Sequence, residues 1–135
     1  RCEMERSRIF LLTSDRREGW GAVLNEAMNS GCAVVASDAV GATPFLVKDG
    51  VNGSVYHSGD TQELYEKVRR LLDDTAAQER LGSAAYRTIS GLWNAETAAE
   101  RLLQLSQALL DGQDAHKLFA DGPCSPAHPL REDWR

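Results

Sequence analysis

Residues 18–36 read Glu18-Gly-Trp-Gly-Ala-Val-Leu-Asn-Glu26-Ala-Met-Asn-Ser-Gly-Cys-Ala-Val-Val-Ala36. Small residues open a segment of helical character, and a short apolar segment typical of a buried strand follows. Unpaired backbone N–H groups and the helix dipole make such a glycine-rich helix start a ready anion site. The carboxylates of Glu18 and Glu26 are placed to bind hydroxyl groups beside it. A ligand with both phosphates and sugars would suit this combination.

The segments on either side predict a βαβ unit. Residues 9–13 form a continuous apolar run, typical of a strand buried on both faces, and residues 14–21 form a polar, glycine-rich loop. Residues 22–30 predict a helix that stops at Gly31, and residues 32–36 predict a second buried strand. Because this order normally joins parallel strands, we expect an α/β fold with a Rossmann-like parallel sheet and flanking helices.

More elements are predicted after residue 43. We expect a helical turn over 44–47, a third strand over 53–56 and then three helices. Asp60 and Glu63 resemble a capping box for the first helix. Thr75 is expected to cap the second helix, and Asn94 the third, which ends near Gly112. The predicted apolar faces are Leu64, Val68, Leu71 and Leu72; Leu81, Ala84, Ala85, Thr88 and Ile89; and Ala98, Leu102, Leu105 and Leu109.

The proline-containing end of the chain differs from these helices. We expect an α/β domain over residues 1–112 and an irregular tail over 113–135. The tail could be partly disordered or could pack across the domain, and Phe119 and Trp134 favour some docking. The chain begins at Arg1 rather than at methionine, so we expect it to be part of a longer product.

Composition excludes several classes of function. The 135-residue chain carries a net charge of −5, which argues against a nucleic-acid partner. Its apolar runs fall short of the roughly 20 residues of a membrane span. Its histidines (His57, His116 and His128) and cysteines (Cys2, Cys32 and Cys124) lack metal-ligand spacing, so no metal site is predicted. Cys32 is expected to be a small buried hydrophobe, and the odd cysteine count suits a cytoplasmic setting.

The predicted site lies at one edge of the sheet. Loops 14–21 and 37–42 follow parallel strands and should emerge together at the edge where open α/β sheets bind ligands. Gly19 would allow a ligand to approach the backbone closely. The predicted free donors are the N–H groups of Gly21, Ala22, Val23 and Leu24. Trp20 would either stack on a sugar or close the loop.

These residues resemble the Glu-x7-Glu motif of retaining glycosyltransferases of the GT-B architecture, in the group 1 or family 4 class. That family has Glu-Gly-aromatic-Gly, a helix with Glu-Ala-Met, a glycine and an apolar strand, as in residues 18–36. Its Gly-Gly-x-Pro-Glu element corresponds to residues 41–45, where Ala42 and Phe45 depart from the pattern. Its Asp-Gly-x-x-Gly turn matches residues 49–53. The resemblance covers residues 7–110.

The resemblance implies a hexosyltransferase that uses a nucleotide-diphosphate sugar, retains configuration and needs no cofactor or essential metal. Glu26 would bind the donor ribose, Glu18 would face the transferred sugar, and the backbone of residues 19–24 would contact sugar and diphosphate. The chain would be the C-terminal half of a donor-binding domain, inactive alone, with a saccharide or lipid-linked acceptor bound by an N-terminal domain. Polysaccharide or glycolipid assembly, in the cytoplasm or at the inner membrane face, is implied for the whole protein.

Other functions stay open at this point. A non-catalytic nucleotide-binding or regulatory module could share the fold. A dehydrogenase lacks support, because no Gly-x-Gly-x-x-Gly follows a strand with an acidic residue about 20 positions on. An interaction domain could use an exposed sheet edge, and an unpaired first strand predicts self-association of the chain.

Overall fold

The computed structural model describes residues 2–127, which contain three strands and six α-helices. The strands are β1 (Ile9–Leu12), β2 (Ala33–Ser37) and β3 (Ser54–Tyr56). The helices are α1 (Cys2–Arg6), α2 (Ala22–Asn29), α3 (Thr43–Leu46), α4 (Thr61–Asp73), α5 (Thr75–Gly91) and α6 (Ala95–Leu110), followed by a 3-10 turn at Ala115–Lys117. The chain divides into two compact units, one up to Leu92 and one from Trp93 onward. The predicted boundary at residue 112 therefore falls within the second unit.

The sheet has the order β1-β2-β3, and both strand pairs are parallel. Ile9 pairs with Ala33 at the start of β1, and Ser37 pairs with Tyr56 at the end of β3. All five residues of the central strand β2 are buried, as its apolar sequence predicts. The α/β prediction with a parallel sheet is confirmed.

Strand β1 lies at an edge of this sheet. Leu12 is buried, but Leu11 is 44% exposed, so the prediction that β1 is buried on both faces is wrong for these residues. The reason is position: within residues 2–127, β1 pairs only with β2 and has no strand beyond it. Self-association through this edge stays a prediction.

Helix caps follow the predicted chemistry with two differences. The Asp60 side chain accepts the Glu63 N–H at 2.9 Å, but the Glu63 carboxylate accepts the His57 N–H instead of completing a reciprocal box. Asp74 rather than Thr75 caps α5, because its carboxylate reaches the Ala77 N–H at 2.9 Å. Asn94 caps α6 as predicted.

Helices α4 and α5 cover the sheet with the predicted faces, except at one residue. Leu71 and Leu81 join Ala33, Val35 and Tyr56 in a buried cluster. Leu72 is 65% exposed, contrary to prediction, because at 3.6 residues per turn it lies about 80° around the helix from Leu64.

Among residues 2–127, no helix combines the length and the apolar character that a membrane span requires.

The second unit consists of α6 and the chain that follows it. The Arg101 guanidinium lies 4.7 Å from the Phe119 ring centre and donates to the carbonyls of Asp121 and Pro123. Phe119 thus packs on α6 within the second unit, whereas Trp134 and His128 lie outside the described residues. The predicted core residues Leu102 and Leu109 of α6 are 57% and 60% exposed, because within this unit only the short following segment packs against the helix.

Candidate functional site

Two loops meet at the carboxyl edge of the sheet, as predicted. The Gly41 N–H donates to the Gly19 carbonyl at 3.1 Å, and the Ala42 N–H donates to the Trp20 carbonyl at 2.9 Å. A Cβ on Gly41 would lie 2.2 Å from the Gly19 oxygen, so this approach requires glycine. The loop after β1 is therefore held against the loop after β2.

Helix α2 begins at this junction without a side-chain cap. Its N-cap residue Gly21 has a left-handed backbone with φ of 78°. A Cβ there would meet the Val40 side chain at 2.7 Å and the Glu18 Cγ at 3.4 Å. Glycine is thus required for the turn, and the Glu18 side chain lies beside the helix start.

Three of the four predicted amide donors have no hydrogen-bond partner in the described part of the chain. Within residues 2–127 the N–H groups of Gly21, Ala22 and Val23 donate no hydrogen bond. The prediction for Leu24 is wrong, because its N–H already donates to the Gly21 carbonyl at 2.9 Å and its side chain is fully buried. Ala22 is exposed and Val23 partly exposed, whereas Gly21 is buried. The helix start thus has three unbonded donors and its positive dipole end for an anion.

Both predicted carboxylates are accessible at this helix. Glu18 is partly exposed, and its own N–H is bonded to the Asp15 carbonyl. Glu26 is exposed, as is Ala22 four residues before it, so the two share the solvent-facing side of α2. Neither glutamate side chain forms a hydrogen bond or ion pair with another side chain in the described range, which leaves both carboxylates available to a ligand.

Trp20 belongs to the loop after β1, and the residue is partly exposed. The indole N–H donates to the Asn25 Oδ1 at 2.9 Å. The ring centre lies 5.7 Å from that of Phe45 at an interplanar angle of 36°. Trp20 therefore helps to close the loop, while 42% of its surface stays exposed.

A contact that sequence reasoning missed joins the same edge to the start of α4. The Asp38 carboxylate accepts the Ser58 N–H and contacts the His57 Nδ1, both at 2.8 Å. Asp38 and His57 are 19 residues apart in sequence and meet only because β2 and β3 are parallel neighbours. Burial raises the pKa of the nearby Tyr56 hydroxyl. A hydrogen bond with Ser37 lowers this pKa, and the negative charge of Asp38 raises it, both by less than burial does.

The cysteines do not form a metal site in the described part of the chain. There, no three His, Cys, Asp or Glu side chains come together as potential ligands. Cys32 is fully buried as predicted, and its thiol donates to the carbonyls of Met4 and Ser7. Burial raises the pKa of this thiol above its usual value.

The fold defines the class of protein to which this site belongs. The structure matches the C-terminal domain of a glycosyl transferase group 1 family protein, LpcC from Francisella tularensis, with a TM-score of 0.58 and 30% identity over 62% of this chain and 42% of that one. It also matches HepE from Anabaena in complex with UDP, with a TM-score of 0.70 and 30% identity over 78% of this chain and 29% of that one. The α/β fold with its three-stranded parallel sheet thus matches part of the Rossmann-like C-terminal domain of GT-B glycosyltransferases.

Sequence comparison gives the family. The family described as glycosyl transferases group 1 matches residues 3–88, and the chain belongs to it. A sulfoquinovosyl transferase from Arabidopsis thaliana is 35% identical over 75% of this chain and 20% of its own length. A D-inositol 3-phosphate glycosyltransferase from Corynebacterium diphtheriae is 34% identical over 78% of this chain and 25% of its own length. The chain thus spans a fifth to a quarter of these relatives.

Proposed function

We propose that this chain forms the donor-binding part of a glycosyltransferase that moves a hexose from a nucleotide-diphosphate sugar to an acceptor with retention of configuration. The observation that carries the proposal is the start of α2, where three unbonded N–H groups lie beside two accessible carboxylates. The structural relative HepE has also been crystallised with UDP-glucose, and it matches this chain with a TM-score of 0.67.

Each group at the site has a role that its chemistry suits. The N–H groups of Gly21, Ala22 and Val23, with the helix dipole, bind the diphosphate. Glu26 accepts hydrogen bonds from the ribose hydroxyls, and Glu18 accepts them from the transferred sugar near its anomeric carbon. Charge-assisted hydrogen bonds of this kind are the stronger ones in proteins, so both contacts favour a hydroxyl-rich ligand.

Transfer breaks the bond between the anomeric carbon and the diphosphate oxygen. The acceptor oxygen forms the new bond to that carbon, and its proton is taken up by the departing diphosphate. Negative charge develops on the departing oxygen. The fixed amide donors at the start of α2 stabilise that charge without reorganising, which is the electrostatic part of the catalysis. Because the chain spans only part of its relatives, acceptor binding is assigned to the rest of the protein, and this chain alone is expected to be inactive.

The test uses the complete gene product with UDP-, GDP- and ADP-sugars. Calorimetry should detect binding of one donor class, and Glu26→Gln should weaken it, because one charge-assisted hydrogen bond contributes about 1.5–3 kcal/mol. Glu18→Gln should mainly lower the rate of sugar transfer. Glu79→Gln is the matched control, since Glu79 borders a groove at the opposite end of α2, with Ser30 and Gly31.

The outcomes separate the alternatives. Wild-type affinity and rate in both site variants would refute the assigned roles. Donor binding by the wild-type protein without any sugar transfer, to acceptors or to water, would instead favour a non-catalytic nucleotide-binding module.

A further inference from the structure

An aromatic pair borders the proposed donor site. Trp20 stands two residues after Glu18 and directly before Gly21, the N-cap of α2. Phe45 lies in the short helix α3, which follows the loop that contacts Gly19 and Trp20. The ring centres are 5.7 Å apart, within the range of aromatic pairs that attract one another.

The orientation of Trp20 is held at several points. Its carbonyl accepts the Ala42 N–H, its indole N–H donates to Asn25, and its ring contacts Phe45. The polar atom of the ring has a partner, and 42% of the residue is exposed. A fixed ring loses little conformational freedom when a ligand packs against it.

An aromatic surface can contact the part of a sugar that carboxylates do not bind. A pyranose ring carries hydroxyls around its rim and C–H groups on its faces. Glu18 can accept hydrogen bonds from the rim, whereas a face needs an apolar partner. Binding sites for small ligands commonly combine apolar and aromatic walls with a few polar groups that set orientation.

We propose that Trp20 and Phe45 form the wall that receives a C–H face of the transferred sugar, and so determine which donor sugars bind. This inference rests on the proposed function. It assigns the pair a direct contact with the sugar and none with the nucleotide. Donors whose sugar presents an unbroken C–H face are the class that fits.

The test distinguishes the contribution of the sugar to binding from that of the nucleotide. Calorimetry on the complete gene product measures dissociation constants for UDP, GDP and ADP and for the glucose conjugate of each. The readout is the ratio of the constant for the diphosphate to that for its conjugate. Trp20→Leu and Phe45→Leu should each lower this ratio roughly two- to tenfold, the size of an aromatic contact, while affinity for the diphosphate is retained.

Two further variants support the interpretation. Trp20→Phe keeps an aromatic ring but loses the bond to Asn25, and it should retain most of the ratio. Tyr86→Leu removes an aromatic residue that is 49% exposed and lines the groove at the opposite end of α2, and it should change nothing.

Failure would be distinguishable from failure of the proposed function. If the variants leave the ratio unchanged, or weaken diphosphate and conjugate equally, the pair only closes the loop and the inference is wrong. If the wild-type protein binds none of the six compounds, the proposed function is wrong, and so is the inference that Trp20 and Phe45 contact a donor sugar.

Discussion

Replacing Gly41 with alanine should separate the two loops of the site. The new Cβ would lie 2.2 Å from the Gly19 oxygen, whereas carbon and oxygen normally approach to about 3.3 Å. The loop after β1 and the loop after β2 must therefore move apart by about 1 Å. That shift breaks the bonds from Gly41 to Gly19 (3.1 Å) and from Ala42 to Trp20 (2.9 Å). Two such bonds contribute about 1–3 kcal/mol.

A smaller effect opposes this loss. Alanine restricts the unfolded chain and stabilises by about 0.4–1 kcal/mol where the native backbone accepts it. The backbone of Gly41 is not in the left-handed region, so this gain applies. We expect a net loss of about 1.3 kcal/mol in the free energy of unfolding, the difference between the middles of these two ranges.

Urea denaturation followed by far-ultraviolet circular dichroism measures this change. Gly19→Ala is the matched control on the other side of the same contact. A Cβ there meets nothing within 4 Å and the backbone is not left-handed, so this variant should be as stable as wild type or slightly more stable. Equal stability of the two alanine variants would refute the steric argument.

Two other predictions concern buried groups. Asn52 is buried, and its side chain bonds Leu46, Lys48 and Thr88, so Asn52→Ala should cost about 2–4 kcal/mol in urea denaturation. Thr88→Val removes one of these bonds and should cost less; equal costs would contradict this reading. Burial raises the pKa of Cys32 above its ordinary value, so the folded chain holds the thiol proton to higher pH than the unfolded chain. Stability should therefore fall as pH rises from the ordinary thiol pKa through the raised folded pKa, by up to about 1.36 kcal/mol per pH unit. Cys32→Ala should flatten this part of the pH profile of urea denaturation, whereas the exposed Cys2→Ala should not.

Local chemistry explains why so much of the fold was predictable. The glycine turn before α2, the stop at Gly31 and the buried run of β2 are each encoded within a few residues. Asn94 caps α6 through its own side chain and the amide three residues on, a contact that sequence spacing reveals. The short helix α1 was missed, because its five residues carry no apolar periodicity and none is buried.

The sequence by itself determined the order of strands and helices and the two carboxylates beside a glycine-opened helix, because propensity, capping and periodicity act over a few residues. Only the tertiary structure decided that Gly41 meets Gly19, that Phe45 meets Trp20 and that Asp38 meets His57. These partners are distant in the chain. They meet because parallel strands bring their carboxyl ends, and the loops that follow, to one edge of the sheet.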